Sequence, residues 1–429
     1  MIKKNNTTID QSREFGITEK FFSITDKRGV ILCGNDVFMR VSDYEPIEVL
    51  NKPHNVIRHP DMPRCIFDLF WQYLNEGKVI GAYVKNLAKD GKYYWVYALV
   101  SLLDEQFVSI RIKPSSDIFP VVEALYKELL QHESSFSGSR HDAMKSSGEL
   151  LTKRLNELNF SSYDEFFYTS LRSELKLHNT AVQKADLASK FSDNKDRSYG
   201  IRHLIRVFDN LDRLTEYGKA IEAKHTCFLS LEKELHTIST NTKFRASRLG
   251  SDGKPLGVLS DEISRARTDI GAEFSRLTKD IKAISNAVNG ATLHSCLGLL
   301  QVQMQQEYSD AMTHSDESEK EQIAHYGLAF VDMNKTLQSA RESSLRSFKK
   351  EINALSNSLN DFRGFILFLS RMIQVLDFTY VTGQSLAASI GNAAEVSEIL
   401  SGLKVIASRS SKDLTELRGL VSEVTSLVE

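Results

Sequence analysis

The chain has 429 residues, 41% of them hydrophobic and 26% charged, which suits a soluble folded protein of two or three domains. A formal net charge of −2 excludes a global basic field, the usual basis for binding nucleic acid. The first residues lack the apolar core of a signal peptide, and the four cysteines have no CxxC spacing. The most apolar window, residues 364–376, is shorter than the roughly 20 residues that cross a bilayer, so we expect a cytoplasmic protein without an integral membrane span.

Short strands and helices are predicted over the first part of the chain, where five of the seven prolines lie. After a flexible tail over residues 1–18, strands are predicted at 21–26 and 30–34, helices at 35–44 and 63–77, and strands at 79–88, 92–104 and 107–112. This order predicts an α+β domain over residues 19–116 with a five-stranded antiparallel sheet and flanking helices. One face of such a sheet is buried against the helices and leaves a pocket between them.

The segment PHNVIRHPDMP, residues 53–63, places four charged or titratable side chains among three prolines. Since proline lacks an amide proton and restricts the backbone, we expect a rigid, irregular loop rather than a strand or a helix. Arg58 has the planar donor geometry that suits a phosphate. A purely structural interpretation is also open, in which Asp61 caps the following helix.

The remainder of the chain is helical in pattern. Its clearest run has apolar residues in alternating steps of three and four, at Ile263, Ala266, Ile270, Phe274, Leu277, Ile281, Ile284 and Val288. The segment before this run, residues 248–257, contains three glycines and a proline. We therefore predict connecting helices over 117–200, an antiparallel helical hairpin over 201–300 with its tip near 248–257, and a C-terminal helical bundle over 301–429. Because such seams are poorly buried in a single hairpin, we also expect a homo-oligomer, most simply a dimer.

No sequence pattern predicts catalysis or a metal site. The chain has no GxSxG, HExxH or phosphate-binding loop spacing. The pairs His225/Cys227 and His294/Cys296 do not share a helical face, and the predicted hairpin leaves them roughly 20 Å apart. We therefore expect a protein that is not an enzyme.

Residues 20–130 resemble the PAS sensor domain of bacterial aerotaxis receptors. The resemblance is carried by NDVFMRVSDY (35–44), KPHNVIRHPDMP (52–63), KDGKYYWV (89–96) and VEALYKEL (122–129). It implies non-covalently bound flavin adenine dinucleotide (FAD) and a response to cellular redox state. Residue by residue, it implies cofactor contacts for Asn35, Arg58, His59, Asp61, Trp71 and Asn86.

The residue types suit a flavin, which needs cationic and amide donors for its oxygens and aromatic walls for its ring. Arg58 is the cation, Asn35 and Asn86 are the amides, and Trp71 is the aromatic wall. Haem is the alternative cofactor, with His54 or His59 as the ligand. The resemblance thus implies a redox or oxygen sensory transducer of the energy-taxis type. A PAS domain that binds no cofactor and acts as an interaction scaffold is the alternative function.

The predicted hairpin tip, residues 241–263, resembles a degenerate version of the tip of chemoreceptor signalling domains. The matching positions include Asn241, Arg248, Gly250, Gly253 and Glu262, whereas Arg245 and Pro255 depart from the usual pattern. In that family the tip contacts the chemotaxis histidine kinase and its coupling protein. The resemblance therefore implies these partners.

Overall fold

The computed structural model describes residues 8–181, 208–314, 330–389 and 393–428. The chain divides into two compact units. The first unit contains Met1–Phe208 and Thr292–Arg346, and the second contains Asp209–Ala291 and Ser347–Glu429.

The first unit is built on a five-stranded antiparallel sheet, as predicted. The strands are β1 (Phe21–Asp26), β2 (Ile31–Gly34), β3 (Ile80–Leu87), β4 (Tyr93–Leu103) and β5 (Gln106–Ile112). Their order across the sheet is β2-β1-β5-β4-β3. Every predicted strand is present, with ends within about one residue, because each segment is rich in aromatic and β-branched residues and ends in a turn. The predicted α+β fold followed by long helices is therefore confirmed.

Six helices and one 3₁₀ turn accompany the sheet. They are α1 (Asp36–Ser42), α2 (Pro46–Val49), the 3₁₀ turn (His54–Ile57), α3 (Arg64–Asn75), α4 (Ile118–Ser135), α5 (Arg140–Glu157) and α6 (Tyr163–Ala181). The proline-rich loop is thus less irregular than expected, since its first residues form the 3₁₀ turn. Helix α2 was not predicted, although Glu45 and Glu48 form a capping box around Pro46.

Both faces of the sheet are covered. One face lies against α3 and the proline-rich loop. On the other face, the Tyr97 hydroxyl of β4 donates to the carbonyl oxygen of Phe167 on α6 at 3.3 Å. The Tyr126 hydroxyl of α4 donates to the carbonyl oxygen of Tyr83 on β3 at 3.1 Å. Helices α4 and α6 therefore bury the face opposite the loop, which the sequence had not indicated.

The segment before β1 also belongs to the domain. The amide of Ile9 donates to the carbonyl oxygen of Gly91 at 2.7 Å. The amide of Arg13 donates to the carbonyl oxygen of Tyr93 at the same distance. Phe15 is buried, with its ring centroid 4.9 Å from that of Phe21. Residues 9–15 are therefore attached to the sheet, which differs from the flexible tail expected over 1–18.

Long helices follow. They are α7 (Leu211–Arg248), a 3₁₀ turn (Gly250–Gly253), α8 (Lys254–His314), α9 (Phe330–Ser389) and α10 (Ala393–Val428). The 3₁₀ turn lies inside the predicted tip, and Ser239 and Ser260 on either side of it exchange hydrogen bonds at 3.1 and 2.8 Å. All eight residues of the predicted seam are buried.

In the second unit, the partner of that seam comes from the same chain. The ring of Phe274 on α8 lies 5.6 Å from that of Phe365 on α9. On the other side, Lys224 of α7 pairs with Asp413 of α10 at 2.7 Å. Helix α8 therefore packs against other helices of the same chain, α9 through Phe365 and α7 through the Ser239–Ser260 pair. This removes the reason for which a dimer was expected, and the dimer itself stays a prediction.

One described helix segment, Asn334–Ser389, is long and apolar enough to cross a membrane when judged by length and composition alone. Its residues Phe362, Phe365 and Leu369 are buried in the second unit. The core helix of a helical bundle passes the same test, so the absence of a membrane span remains an expectation.

Candidate functional site

A cavity of about 280 Å³ lies between the sheet, the proline-rich loop and α3. This volume is near the lower end of the range for ligand pockets, about 300–1,000 Å³. The sheet contributes Thr25, Val84, Asn86, Ala98, Val100, Phe107, Ser109 and Arg111; the turns and loop contribute Arg28, Gly29, Pro53, His54, Asn55 and Arg58; and α3 contributes Phe67, Phe70, Trp71 and Leu74. The predicted pocket is therefore present.

The cavity has a polar mouth and a buried inner end. At the mouth, the side chain of Arg28 is 83% exposed and Trp71 is 39% exposed. At the inner end, Asn86, Ser109 and Arg111 are between 2% and 6% exposed. Aromatic rings of α3 and β5 form the walls between these ends, so a flat ring can enter the cavity while a charged tail stays near solvent.

Two buried polar atoms at the inner end have no hydrogen-bond partner among the described residues. They are the amide nitrogen Nδ2 of Asn86 and the hydroxyl Oγ of Ser109. A buried polar atom without a partner costs about 1–3 kcal/mol, so such atoms at a cavity wall indicate a ligand that pairs with them. A flavin ring has donors and acceptors along its edge, and these residues fit it.

Arg58 extends along the wall nearer the loop. Its guanidinium donates to the carbonyl oxygen of Met62 at 3.1 Å and lies 4.0 Å above the ring of Phe67. Burial lowers the pKa of Arg58, but an arginine remains charged at neutral pH. Its remaining donors are available for an anionic group such as a phosphate.

Three of the six predicted contact residues, Arg58, Trp71 and Asn86, thus line the cavity. The other three, Asn35, His59 and Asp61, do not. Asn35 accepts from the amides of Phe22 and Phe38 at 3.0 and 3.1 Å, so its side chain starts α1 and joins it to β1.

His59 and Asp61 anchor the loop instead. The buried ring of His59 accepts a hydrogen bond at Nδ1 from the Asp61 amide at 3.1 Å. The Asp61 carboxylate pairs with Lys85 on β3 at 2.8 Å. The interpretation of Asp61 as a helix cap is wrong. The carboxylate of Glu133 on α4 caps α3 instead, because it accepts from the backbone amides of Arg64 at 2.8 Å and Cys65 at 3.2 Å.

Arg111 was not predicted as a site residue from the sequence, and His54 was predicted only as a haem ligand. The Arg111 guanidinium donates to the Ser23 hydroxyl at 3.0 Å and to Nε2 of His54 at 2.8 Å. Burial and the charge of Arg111 lower the pKa of His54 to about 3, which keeps its ring neutral. The alternation of β5 could have indicated these positions, since Phe107, Ser109 and Arg111 share one face of the strand.

The histidine geometry does not favour haem. His54 lines the cavity, but its Nε2 lone pair accepts the Arg111 hydrogen bond. His59 lies outside the cavity lining, and its Nδ1 is occupied by the Asp61 amide. An iron ligand needs a free ring-nitrogen lone pair that faces the cofactor. The side chains of His225 and Cys227, considered above for a metal, lie outside the described residues.

Comparison with known proteins agrees with the fold. Residues 32–112 match the family model described as PAS fold. The aerotaxis receptor of Escherichia coli (strain K12) is 39% identical over 112 residues, which are 25% of this chain and 22% of the receptor. The chain thus matches well under two thirds of that relative's length.

Solved structures with similar folds include light-oxygen-voltage (LOV) domains. The LOV domain from the Erythrobacter litoralis EL346 blue-light activated histidine kinase is 16% identical, with 21% of this chain and 93% of that chain covered and a TM-score of 0.21. The dark structure of the blue-light photoreceptor Aureochrome1 LOV is 20% identical, with coverages of 24% and 81% and a TM-score of 0.23. The N-terminal part of this chain is a PAS domain, similar in sequence to part of an aerotaxis receptor.

Proposed function

We propose that this protein is a cytoplasmic, non-enzymatic sensory transducer in which FAD bound by the PAS domain controls the helical region. The observation that carries the proposal is the cavity, where the unpartnered Asn86 Nδ2 and Ser109 Oγ lie at the inner end between aromatic walls, with Arg58 on the loop side. The 39% identity to part of an aerotaxis receptor supports a response to redox state or oxygen.

Different residues would bind the two parts of FAD, the flavin ring and the diphosphate. Asn86 and Ser109 would hold the edge of the flavin ring, and Phe67, Phe70 and Trp71 would cover its faces. Arg58 would hold the diphosphate nearer the mouth. The bound FAD supplies a ring whose charge and hydrogen bonding change with its redox state.

A path of contacts leads from the cavity to the opposite face of the sheet. Asn86 shares β3 with Tyr83, whose hydroxyl donates to Glu174 on α6 at 2.8 Å. Farther along α6, Asn179 accepts a hydrogen bond from Gln303 of α8 at 2.7 Å. We infer that a changed hydrogen bond at Asn86 shifts β3 and alters how α6 holds α8.

The signal would pass from the PAS domain to the second unit through α8 and α9. Helices α8 and α9 each contain residues of both units, so the chain itself offers the route to the second unit. The similarity of residues 241–263 to a chemoreceptor tip makes the chemotaxis histidine kinase and its coupling protein the partners to test first. A homodimer belongs to the same proposal.

The test is the colour and content of the purified full-length protein. We expect a yellow protein that releases FAD on acid denaturation, identified by mass spectrometry. Arg58→Ala is expected to retain less FAD, whereas Arg40→Ala, a surface arginine of the same domain, is expected to retain as much as wild type.

Other outcomes would overturn the proposal. A colourless protein that takes up no added FAD would support the interaction scaffold, and a red protein would support haem.

A further inference from the structure

Arg111 is a buried cation without an acidic partner among the described residues. It is 6% exposed, and both of its hydrogen-bond acceptors, Ser23 and His54, are neutral. Two other cations of the first unit with little exposed side chain differ, since Lys85 pairs with Asp61 and Lys20 pairs with Glu307. No aspartate or glutamate is present among the residues that line the cavity.

An isolated buried charge is costly, and proteins normally compensate it with a counter-ion or give up the proton. Burial lowers the pKa of Arg111 to about 10, so the group is still protonated at neutral pH. The inner end of the cavity therefore has a positive potential that no described carboxylate cancels. A ligand with negative charge at this end would be favoured over a neutral one.

The two ends of the cavity favour different parts of a flavin. The outer part of the cavity, with the exposed Arg28 paired to Asp26 at 2.9 Å and the half-buried Arg58 on the loop wall, suits a hydrated diphosphate. The enclosed inner end, with aromatic walls, Asn86 and Ser109, suits the ring. Arg111 would then face the ring edge rather than the phosphates, and charge beside that edge tunes the electronics of a flavin.

Resting on the proposed FAD binding, we propose that Arg111 makes the cavity bind the reduced, anionic flavin ring more tightly than the oxidised, neutral ring. The reduced ring loses a proton near neutral pH and so carries a negative charge that the oxidised ring lacks. His54 acts as a positioning residue, because its Nε2 accepts from Arg111 and holds the guanidinium toward the cavity. This preference biases the sensor toward its reduced state.

The experiment measures the dissociation constant of FAD for the full-length protein with and without dithionite under nitrogen. Wild type is expected to bind reduced FAD at least about tenfold more tightly than oxidised FAD, the scale of one buried charge contact. Arg111→Met is expected to abolish this difference and Arg111→Lys to restore part of it. Ser109→Ala, the neighbouring neutral position on β5, is expected to weaken both states equally.

A second pair of variants tests the positioning role. His54→Gln retains an acceptor and should keep the preference, whereas His54→Leu should reduce it. Tryptophan fluorescence of each variant checks folding, because both tryptophans of the chain, Trp71 and Trp95, lie in the PAS domain.

Each failure has its own meaning. If wild type binds no FAD in either state, the proposed function fails together with this inference. If wild type and Arg111→Met bind FAD with the same ratio between the two states, FAD binding stands and the role of Arg111 is refuted.

Discussion

Replacing Glu174 by leucine is expected to destabilise the PAS domain strongly. The Glu174 carboxylate on α6 is fully buried and accepts from the Tyr83 hydroxyl at 2.8 Å and the Ser116 hydroxyl at 2.6 Å. It also accepts from the backbone amides of Ser115 and Ser116 at 2.7 and 3.1 Å. One carboxylate thus ties the end of the sheet, its face opposite the cavity, and α6 together.

The magnitude follows from the donors that leucine leaves unpaired. The two hydroxyls lie 3.4 Å apart and can turn toward each other, but the two backbone amides have no such freedom. An unsatisfied buried donor costs about 1–3 kcal/mol. The amide of the buried Ser116 bears this cost in full, whereas the amide of the exposed Ser115 can bond to water, so we expect a total loss of about 2–4 kcal/mol. Glu174→Gln keeps one acceptor oxygen and the shape of the side chain, so we expect it to cost only about 1–2 kcal/mol.

Urea unfolding followed by tryptophan fluorescence measures this effect in the full-length protein. Both tryptophans lie in the PAS domain, so the signal reports that domain and not the helical bundle. The shift in midpoint multiplied by the slope is the change in the free energy of unfolding. Glu149→Gln, at an exposed position of α5, is the control and should leave the midpoint unchanged.

The reasoning would be refuted if Glu174→Leu unfolded at the same urea concentration as Glu149→Gln. Equal losses for leucine and glutamine at position 174 would also contradict it, because the acceptor oxygen would then not matter.

Three further predictions concern the hairpin and the response to acid. Phe274→Asp should lower the thermal unfolding midpoint of the helical region, measured by circular dichroism, because Phe274 is only 3% exposed and packs against Phe365. The control Glu273→Lys, on the charged face of the same helix, should cost under about 1 kcal/mol. Gly253→Ala should destabilise the turn, because an added Cβ would collide with the carbonyl oxygen of Ala246. Gly257→Ala should be tolerated, because a Cβ there meets nothing within 4 Å. Equal thermal unfolding midpoints for the two variants would refute this tight turn. Between about pH 6.5 and 3 the urea midpoint of the PAS domain should fall, because His54 has a folded pKa of about 3 and stays neutral while the unfolded chain takes up the proton. His54→Gln should remove part of that fall, and an unchanged pH profile would contradict it.

Local pattern was enough to predict the strands, the hairpin turn and the helical seam. Strands β1 to β5 are runs rich in aromatic and β-branched residues bounded by turns, and the run from Ile263 to Val288 repeats in steps of three and four, so each can be recognised without knowing what packs against it. The attachment of residues 9–15 and the covering of Tyr83 by α4 and α6 could not be recognised in this way. Both depend on segments far away in the chain.

The site was predicted in part for the same reason. A loop rich in polar groups marks a place of special structure, and Arg58, Trp71 and Asn86 do reach the cavity. Asn35 and Asp61 carry equally suitable groups, but they bind backbone amides and a lysine instead. An amide or carboxylate satisfies a helix end, an ion pair or a ligand with the same chemistry, so residue type cannot choose among them.

The sequence by itself determined where the strands and the helical seam lie, because residue type, turns and the three-four period are local properties of the chain. Only the tertiary structure decided what they are buried against. The seam of α8 meets Phe365 of α9 in the same chain, where the other arm of the hairpin or a second chain had been expected. Likewise Arg111 joins His54 across 57 positions of sequence to form the inner end of the cavity. Periodicity is a local property of the chain, whereas the partner of a buried face depends on how distant segments pack, and no local pattern records that choice.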